Sequence, residues 1–208
     1  MKKIRCAAFL LILSWLFLPP IQAEEEERER KVQKNSFPSV LMGFSVGSYH
    51  FQGGRIKQIY GNTGSIKGLE INPIFSFHSF HHLALSLEVK NLSKKGSSTF
   101  TRKTTQLTLF PVTLAGKYLI QVHDWIPYVG MGWDYYHYKE TSELHDTSGF
   151  TTGYHIQGGV YYPIPSLSSL FVKIFVKFTQ ATAQENSLEA NLGGLEMGLG
   201  LLWGIRLF

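Results

Sequence analysis

The ten residues LFVKIFVKFT, at positions 170–179, decide how this chain folds. Every even-numbered position in this stretch is apolar, whereas the odd-numbered positions include Lys173, Lys177 and Thr179. A helix would gather apolar side chains at spacings of three and four residues, but a strand points successive side chains to opposite faces. The stretch is therefore predicted to form a β-strand with one apolar face and one partly charged face.

The same alternation recurs along the rest of the chain. Five further segments carry it, at positions 68–78, 83–90, 129–136, 153–162 and 195–204. Residues 39–51 are predicted to form a seventh, glycine-rich strand, and residues 104–119 an eighth. Pro73 falls inside one of these segments, and because proline has no N–H to donate, an irregular ladder is expected there.

The last of these segments, 104–119, changes phase at Pro111. Leu107 and Leu109 are expected to point outward before the proline, and Val112 is expected to point outward after it. A slip of one residue is typical of a β-bulge, which inserts an unpaired residue into one strand. The sequence therefore predicts a bulge at Phe110 and Pro111.

The connections between the eight strands alternate in length. Three are short, at positions 79–82, 120–126 and 163–169, and four are long and rich in polar residues and glycine, at positions 52–65, 91–103, 139–150 and 181–191. An antiparallel meander with all its long connections at one end is typical of transmembrane β-barrels. The predicted fold is all-β: a closed, eight-stranded, antiparallel, up-and-down transmembrane β-barrel.

The two faces of the strands predict which side of the barrel meets lipid. The apolar face would be a large aggregating surface in water, but it needs no partner in hydrocarbon. The opposite face carries charges that are expected to pair in a narrow lumen, because an unpaired buried charge is costly. The predicted lumen charge network comprises Glu70, Glu88, Lys90, Asp134, Lys173, Lys177 and Glu196, with Lys117 and Arg206 as further candidates.

Aromatic residues are expected at the two rims of the barrel, because amphipathic rings favour membrane interfaces. The girdle predicted near the short connections comprises Phe75, Phe77, Tyr118, Trp125, Tyr128, Tyr162 and Phe208. The girdle predicted near the long connections comprises Tyr49, Phe51, Tyr135, Tyr136, Tyr138 and Phe150.

The N-terminal segments are predicted to lie outside the barrel domain, 37–208. Residues 1–23 have a basic start, an apolar stretch and a small residue at the cleavage position, which is typical of a secretory signal peptide. Residues 24–36 carry nine charges in thirteen positions and are expected to be a disordered leader. Without residues 1–23 the chain has 17 basic and 15 acidic side chains and no cysteine. Nucleic-acid binding and disulfide bonds are therefore not expected.

Three segments carry a resemblance to a known family. They are FPVTLAGKYLI with WIPYVGMGWDYY (110–120 and 125–136), GYHIQGGVYYPI (153–164), and the glycine-rich last strand that ends in LLWGIRLF (201–208). They resemble the small bacterial outer-membrane β-barrel proteins of the OmpA transmembrane-domain and OmpX type. The resemblance implies location in the outer membrane, contact with its lipids and lipopolysaccharide, and recognition of Phe208 by the barrel-assembly machinery.

The sequence offers few candidates for catalytic side chains. Lipid A deacylases of the barrel type use a His and a Ser close together, and His78 and Ser79 are the one such neighbouring pair. Adjacent residues of a strand point to opposite faces, so this pair is not expected to act together. Barrel proteases need paired acids and a histidine, for which Asp134, His145 and Asp146 are candidates, but the last two fall in a long loop.

Metal binding and cofactors are not expected either. His78, His81 and His82 cluster near one short connection, but adjacent histidines diverge and no acid or cysteine joins them. The sequence shows no glycine-rich phosphate-binding loop. Its glycines recur at a spacing of two residues, which is the period of a pleated strand.

The expected function is a structural or surface-interaction role, without enzymatic activity, for a protein that is expected to be a monomer. Long loops on a rigid scaffold commonly carry function, and cations in these loops would suit anionic lipopolysaccharide. Three alternatives stay open: a narrow channel for small or apolar solutes, a lipid-modifying barrel enzyme, and a soluble lipocalin-like binder. The charged residues of the loops are Arg55, Lys57, Lys94, Lys95, Arg102, Glu143 and Asp146.

Overall fold

The computed structural model describes residues 37–78, 81–97, 104–142, 146–167, 169–185 and 188–206. The predicted signal peptide, 1–23, and leader, 24–36, lie outside these residues. The elements in chain order are β1 (Val40–Phe51), α1 (Gly54–Tyr60), β2 (Thr63–His78), β3 (His81–Ser97), β4 (Thr104–Ile120), β5 (Ile126–Ser142), β6 (Asp146–Pro163), β7 (Leu170–Glu185), β8 (Leu188–Asn191) and β9 (Gly194–Ile205). Within the described residues, no helix has the length and apolar character needed to cross a membrane.

The strands close into an antiparallel ring. Each strand from β1 to β7 pairs with the next, β7 pairs with β9, and β9 pairs back with β1. Strand β8 continues the line of β9 along β7, with a break where the amides of Leu192 and Gly193 both donate to the carbonyl of Ala181, at 2.9 and 3.1 Å. The ring therefore contains eight strands, and the predicted closed up-and-down barrel is confirmed.

The ladders are staggered around the ring. The carbonyl of Ser39 accepts a hydrogen bond from the amide of Ile74 at 2.8 Å. From Ile74 the paired residues run through Ala84, Lys117, Gly130, Gln157, Lys177 and Glu196 to Tyr49. One circuit thus ends ten residues further along β1 than it began, and such an offset tilts the strands of a barrel, typically by about 35–45°.

An apolar band surrounds the half of the barrel near the short connections, which is called the lower half here. Leu85 and Leu199 are 49% and 55% exposed on the outer wall, whereas Glu88 and Lys173 are 0% exposed inside. The band is therefore the outer surface, as predicted, and a lipocalin-like arrangement with the apolar face inside does not apply to this half. The band includes Met42, Phe44, Leu69, Ile71, Leu83, Leu87, Leu114, Val129, Met131, Trp133, Ile156, Ile174, Val176, Met197 and Trp203.

The outer wall becomes polar in the upper half, near the long connections. On β3 the outward apolar run ends at Val89, and Asn91, Ser93 and Lys95 follow on the same face. Strands β2 to β7 have 16 to 18 residues each, more than the ~9–11 that a tilted strand needs to cross a membrane. Corresponding outward positions on four other strands are occupied by Lys67, Thr108, His137 and Gln180.

The interior of the upper half is apolar. Its buried side chains form one group, the upper cluster, made of Tyr49, Phe51, Ile56, Tyr60, Ile66, Leu92, Leu107, Leu109, Tyr136, Ala181, Ala183 and Leu192. The two faces of the wall therefore exchange polarity where the apolar band ends. The lower half is apolar outside, as hydrocarbon requires, and encloses the buried charged residues; the upper half is polar outside, as water requires, and apolar inside.

This exchange corrects the prediction for β4. Leu107 and Leu109 point inward, with 4% and 1% exposure, whereas Phe110 and Leu114 point outward. The register of β4 against β5 is unbroken from Thr105 to Leu119, so the predicted bulge at Phe110 and Pro111 is wrong. The apparent phase slip in the sequence reflects a change of solvent along one regular strand.

The prolines loosen the ladders without shifting them. The β3–β4 ladder has no pairs between Val89↔Val112 and Leu92↔Leu109, beside Pro111, and its register is the same on both sides. The β2–β3 ladder has the same kind of gap beside Pro73, and its one register shift lies further on, between Ser76 and His78. A missing N–H therefore removes hydrogen bonds locally, and no extra residue is inserted.

Helix α1 lies in the first long connection, where the sequence predicted only a loop. Ile56 and Tyr60, one turn apart, are buried in the upper cluster, and the Tyr60 hydroxyl is 3.0 Å from Thr105 Oγ1. Burial raises the pKa of the Tyr60 hydroxyl. The helix ends at Gly61, whose φ of 79° lies in the left-handed region that glycine tolerates. A seven-residue helix is stabilised by such tertiary burial, because it is too short to form alone.

Leu85→Arg is expected to destabilise the folded protein by about 2–4 kcal/mol, because it places a charge on the apolar band. Ser93→Arg, on the same strand and face but beyond the band, is expected to cost less than about 1 kcal/mol. Urea unfolding of protein refolded into phosphatidylcholine vesicles, followed by tryptophan fluorescence, measures both. Equal losses for the two variants would contradict the position of the band.

Candidate functional site: the interior of the barrel

The interior of the lower half has two layers below the upper cluster. The lower cluster, nearest the short connections, comprises Leu41, Ile74, Ala84, Leu119, Ile126, Tyr128, Tyr161, Phe171, Phe175 and Leu202. On each strand of β2 to β5, charged or polar inward residues separate the members of the two clusters. This charged layer comprises Glu70, Glu88, Lys90, Lys117, Asp134, His155, Lys173, Lys177 and Glu196, all buried.

Two lysines from two separate strands meet the same two glutamates at the centre of the charged layer. Lys117 Nζ on β4 lies 3.3 Å from Glu70 Oε2 and 3.0 Å from Glu88 Oε1. Lys173 Nζ on β7 lies 2.8 Å from Glu70 Oε2 and 3.8 Å from Glu88 Oε1. Lys117 also donates to Asn72 Oδ1 at 2.9 Å. These contacts tie β2, β3, β4 and β7 together across the lumen.

A third lysine extends the network towards β9. Lys90 Nζ lies 2.9 Å from Glu88 Oε2 and 2.7 Å from Glu196 Oε1. The ring of Phe175 lies beneath two ammonium groups, 4.9 Å from Lys90 Nζ and 4.5 Å from Lys173 Nζ. A cation over an aromatic face is attracted by the ring quadrupole, so Phe175 supports the charged layer as well as the lower cluster.

A separate group of polar side chains surrounds Asp134 on β5. Lys177 Nζ lies 2.6 Å from Asp134 Oδ1, and His155 Nδ1 lies 3.0 Å from Asp134 Oδ2. Thr113 donates its hydroxyl to Asp134 Oδ1 and accepts a hydrogen bond from Lys177 at 2.8 Å. Asp134 therefore has polar partners on three other strands, β4, β6 and β7.

The charged layer is balanced. Its four carboxylates face four lysines, and each lysine has a carboxylate oxygen within 3.3 Å. The structure brings together all seven residues predicted for the lumen network. It also includes Lys117, one of the two further candidates, in a central position, and it adds His155, which the predicted set omitted. Arg206 is exposed after the end of β9 and does not join the layer.

Several aromatic residues predicted for the girdles lie on the outer wall. Phe75, Phe77, Trp125 and Tyr135 are between 46% and 63% exposed. Trp125 packs beside Tyr162, with ring centroids 5.0 Å apart, at the lower end of the band. Phe208 lies outside the described residues.

Other aromatic residues predicted for the girdles lie inside. Tyr128 is 3% exposed and stacks on Tyr161 at 4.8 Å in the lower cluster, so its predicted place in the girdle is wrong. Its strand places Tyr128 in phase with the inward Asp134, six residues further on, and this alternation could have shown it. Tyr138 packs against the upper cluster, which also contains three residues predicted for the rim, Tyr49, Phe51 and Tyr136.

The candidate catalytic residues do not form a site among the described residues. Asp134 is buried in the lumen, whereas Asp146 is exposed on β6, with its Oδ2 3.9 Å from Lys139 Nζ. Ser79 and His145 lie outside the described residues, as does the side chain of His78. The two acids considered for proteolysis therefore lie on opposite sides of the wall.

The histidines near the short connection diverge. His82 points inward, where its Nδ1 lies 2.7 Å from Ser76 Oγ and its ring stacks on Phe37 at 3.9 Å. His81 Nδ1 lies 2.7 Å from the hydroxyl of Tyr118. No group of three or more metal-ligating side chains that could hold an ion occurs among the residues described.

Strands β2 and β3 separate in the upper half. In the described part of the chain their ladder ends at Ile66↔Leu92, although β2 stays paired with β1 up to Thr63 and β3 with β4 up to Ser97. We call residues 63–65 and 93–97 the β2–β3 seam. A depression of about 340 Å³ beside it is lined by Gly47, Ser48, Thr63, Gly64, Ser65 and Lys94.

No protein-family model matches this chain, and no curated protein matches its sequence. Among solved structures, the outer membrane protein OprG from Pseudomonas aeruginosa is similar with a TM-score of 0.60 and 11% identity, over 83% of this chain and 99% of that one. The N-terminal β-barrel domain of OprF from the same organism has a TM-score of 0.46 and 16% identity, over 81% and 98%. The fold of this chain is that of the small outer-membrane β-barrels, which confirms the resemblance found in the sequence.

Lys177→Ala is expected to lower the free energy of unfolding by about 3–5 kcal/mol, because it leaves Asp134 buried without its nearest cation. Adding Asp134→Asn removes the uncompensated charge and is expected to recover at least about half of that loss. Urea unfolding in vesicles measures the free energy of unfolding of the parent protein and of both variants. The control is Lys139→Ala, whose exposed contact with Asp146 is worth less than about 1 kcal/mol. A double variant no more stable than Lys177→Ala would contradict the pairing.

Proposed function

We propose that this chain is a non-enzymatic outer-membrane β-barrel that acts as a closed scaffold and presents its upper half at the cell surface. The observation that carries the proposal is the charged layer, buried and paired between two apolar clusters inside an apolar outer band. An eight-stranded ring is just wide enough for side chains to fill it. A barrel filled in this way holds its shape in lipid and offers no water-filled axial path.

The surface role is supported by the length and polarity of the upper half. The strands continue beyond the apolar band with a polar outer face, so a rigid wall carries the long connections clear of the membrane. Residues displayed on such a scaffold are well placed to bind partners. The proposal includes cleavage of residues 1–23, insertion by the barrel-assembly machinery, contact with lipids and lipopolysaccharide, and a monomeric state.

The proposed absence of catalysis is supported by the hydrogen-bond and ion-pair partners that hold the interior acid Asp134. Asp134, the one interior acid among the candidate catalytic residues, is held by Lys177, Thr113 and His155. A general base must reach a substrate, and this carboxylate is 1% exposed beneath the upper cluster.

Membrane fractionation with heat-modifiable gel migration tests the location and the fold together. The protein is expected in the outer-membrane fraction, and an unboiled sample is expected to migrate differently from a boiled one, because a closed barrel resists detergent unfolding. Recovery from the soluble periplasm would contradict the proposal.

Planar-bilayer recording tests the closed interior. The parent protein and Lys177→Ala are both expected to give no stable large channels, because the two apolar clusters remain in place when one lysine is removed. Stable channels in the parent protein would favour a gated polar path instead. An open porin recorded in the same bilayers serves as the positive control.

A second candidate function is lateral uptake of small apolar solutes, and the β2–β3 seam favours it. Ile66 and Leu92, the last pair of the ladder, both belong to the upper cluster, so the seam opens beside an apolar interior. A solute leaving the barrel there would bypass the charged layer.

Lys94→Trp is expected to slow uptake of radiolabelled octane by cells at least about threefold, because the indole fills the depression that Lys94 lines. The control is Lys95→Trp, whose side chain alternates to the opposite face of β3. If the Lys94→Trp cells take up octane at the parent rate, or cells without the protein match the parent, this second function is wrong.

A further inference from the structure

Five cations gather on one side of the upper half. Arg55 and Lys57 are exposed on α1, Lys67 is exposed on β2, and Lys94 and Lys95 lie on β3. Residues 48–67 and 91–97 contain no Asp or Glu. Within the described residues no ion pair joins any of the five to a carboxylate, whereas Lys139, on β5, has Asp146 beside it. Among the residues that the structure describes, this side of the barrel, the basic arc, therefore carries positive charge without a paired carboxylate.

The basic arc begins where the apolar band ends. On β2 the outward Leu69 is 68% exposed, and Lys67 is the next outward residue above it. Val46, opposite Lys67 on β1, is 49% exposed on the same wall. A lysine at such an edge lays its methylene stem along apolar surface and raises its ammonium group into the headgroup layer. Lys67 is thus placed at the boundary between acyl chains and headgroups.

A second cation follows at a distance that suits a large headgroup. Lys67 pairs with Asn91 on β3, and Lys95 lies four residues beyond Asn91 on the same face. At about 3.3 Å per residue the two lysines are separated by roughly 13 Å along the wall. Lipid A carries two phosphates at opposite ends of a disaccharide, so two cations this far apart along the tilted strands match the separation of its charges.

The β2–β3 seam adds neutral donors between these cations. Ser48, Thr63 and Ser65 line the depression together with Lys94. Because the β2–β3 ladder stops at Ile66↔Leu92, main-chain groups of the two strands above it have no partner strand on that side. Hydroxyls, main-chain N–H groups and ammonium groups together form the donor set that binds phosphates and sugar hydroxyls.

From this arrangement we infer that the basic arc binds the phosphorylated headgroup of lipid A in the outer leaflet, with its acyl chains against the apolar band. The inference rests on the proposed function, which places the upper half outside the membrane. Lys67 and Lys95 contact the two phosphates, Lys94 and the hydroxyls of the seam contact the disaccharide, and Arg55 and Lys57 contribute longer-range attraction. A protein partner would need only the cations. A phosphorylated amphiphile would also use the apolar band directly beneath them, because its acyl chains must be kept from water.

Native mass spectrometry of the full-length protein, released from detergent micelles and titrated with bisphosphorylated lipid A, tests the inference. Lys67→Gln and Lys95→Gln are each expected to weaken binding about fivefold, and the double variant about thirtyfold, at about 1 kcal/mol per cation. Lys139→Gln, an exposed lysine on β5 whose ammonium group already has Asp146 beside it, is the matched control and is expected to bind like the parent. Heat-modifiable migration confirms that each variant is folded.

Three ligand arms identify the group that is bound. Dephosphorylated lipid A is expected to bind at least tenfold more weakly than lipid A, and inorganic phosphate at the same concentration is expected not to displace it. Equal binding of dephosphorylated lipid A, displacement by inorganic phosphate, an unaffected double variant, or an equal loss in Lys139→Gln would each overturn the inference. If lipid A binds as expected but the protein fractionates outside the outer membrane, the site stands and the proposed location fails.

Discussion

Hydrocarbon cannot hydrogen-bond a peptide group, and this constraint organises the whole barrel. A sheet in lipid must close on itself so that no strand edge is left, and a ring of eight strands closes around a space that side chains can fill. Closure by itself does not say which face of each strand turns inward. An Arg or Lys on the lipid side costs about 2–4 kcal/mol at the bilayer midplane, and an Asp or Glu costs less, so each inward Glu or Lys favours one orientation of its strand. The charged layer thus specifies the register that closure needs.

The charged layer is better understood as a device for specificity than as a source of stability. Replacing a buried ion pair by well-packed apolar residues is often neutral or stabilising, whereas removing one partner alone is costly. Glu70 accepts from Lys117 and from Lys173, which come from strands that lie on either side of β2 around the ring. A register slip of one residue on either strand would turn its lysine into lipid and leave Glu70 without that partner. The arrangement therefore penalises the barrel's nearest misfolded alternatives.

The sequence predicted the band well because there the two faces differ sharply in composition. Alternation placed Leu85 outside and Glu88 inside without any knowledge of the fold. Which carboxylate meets which lysine was not predictable, because those contacts depend on the stagger of ten residues around the ring. Helix α1 was missed because its seven residues have no side-chain cap and depend on the burial of Ile56 and Tyr60 by distant strands.

The prediction that Leu107 and Leu109 point outward was wrong for a different reason. The same reason explains where the β2–β3 ladder opens. Pattern analysis assumes one solvent along a strand, but these strands pass from lipid into water, where the favourable face reverses. A long run of unpaired main-chain groups is tolerated where water can bind them. Apart from the gap beside Pro73, the β2–β3 ladder runs through the lipid zone, and it ends at Ile66↔Leu92, directly above the pair of Lys67 and Asn91 that marks the edge of the band. The membrane boundary, the exchange of polarity between the two faces and the start of the β2–β3 seam therefore coincide, because the change from lipid to water produces all three.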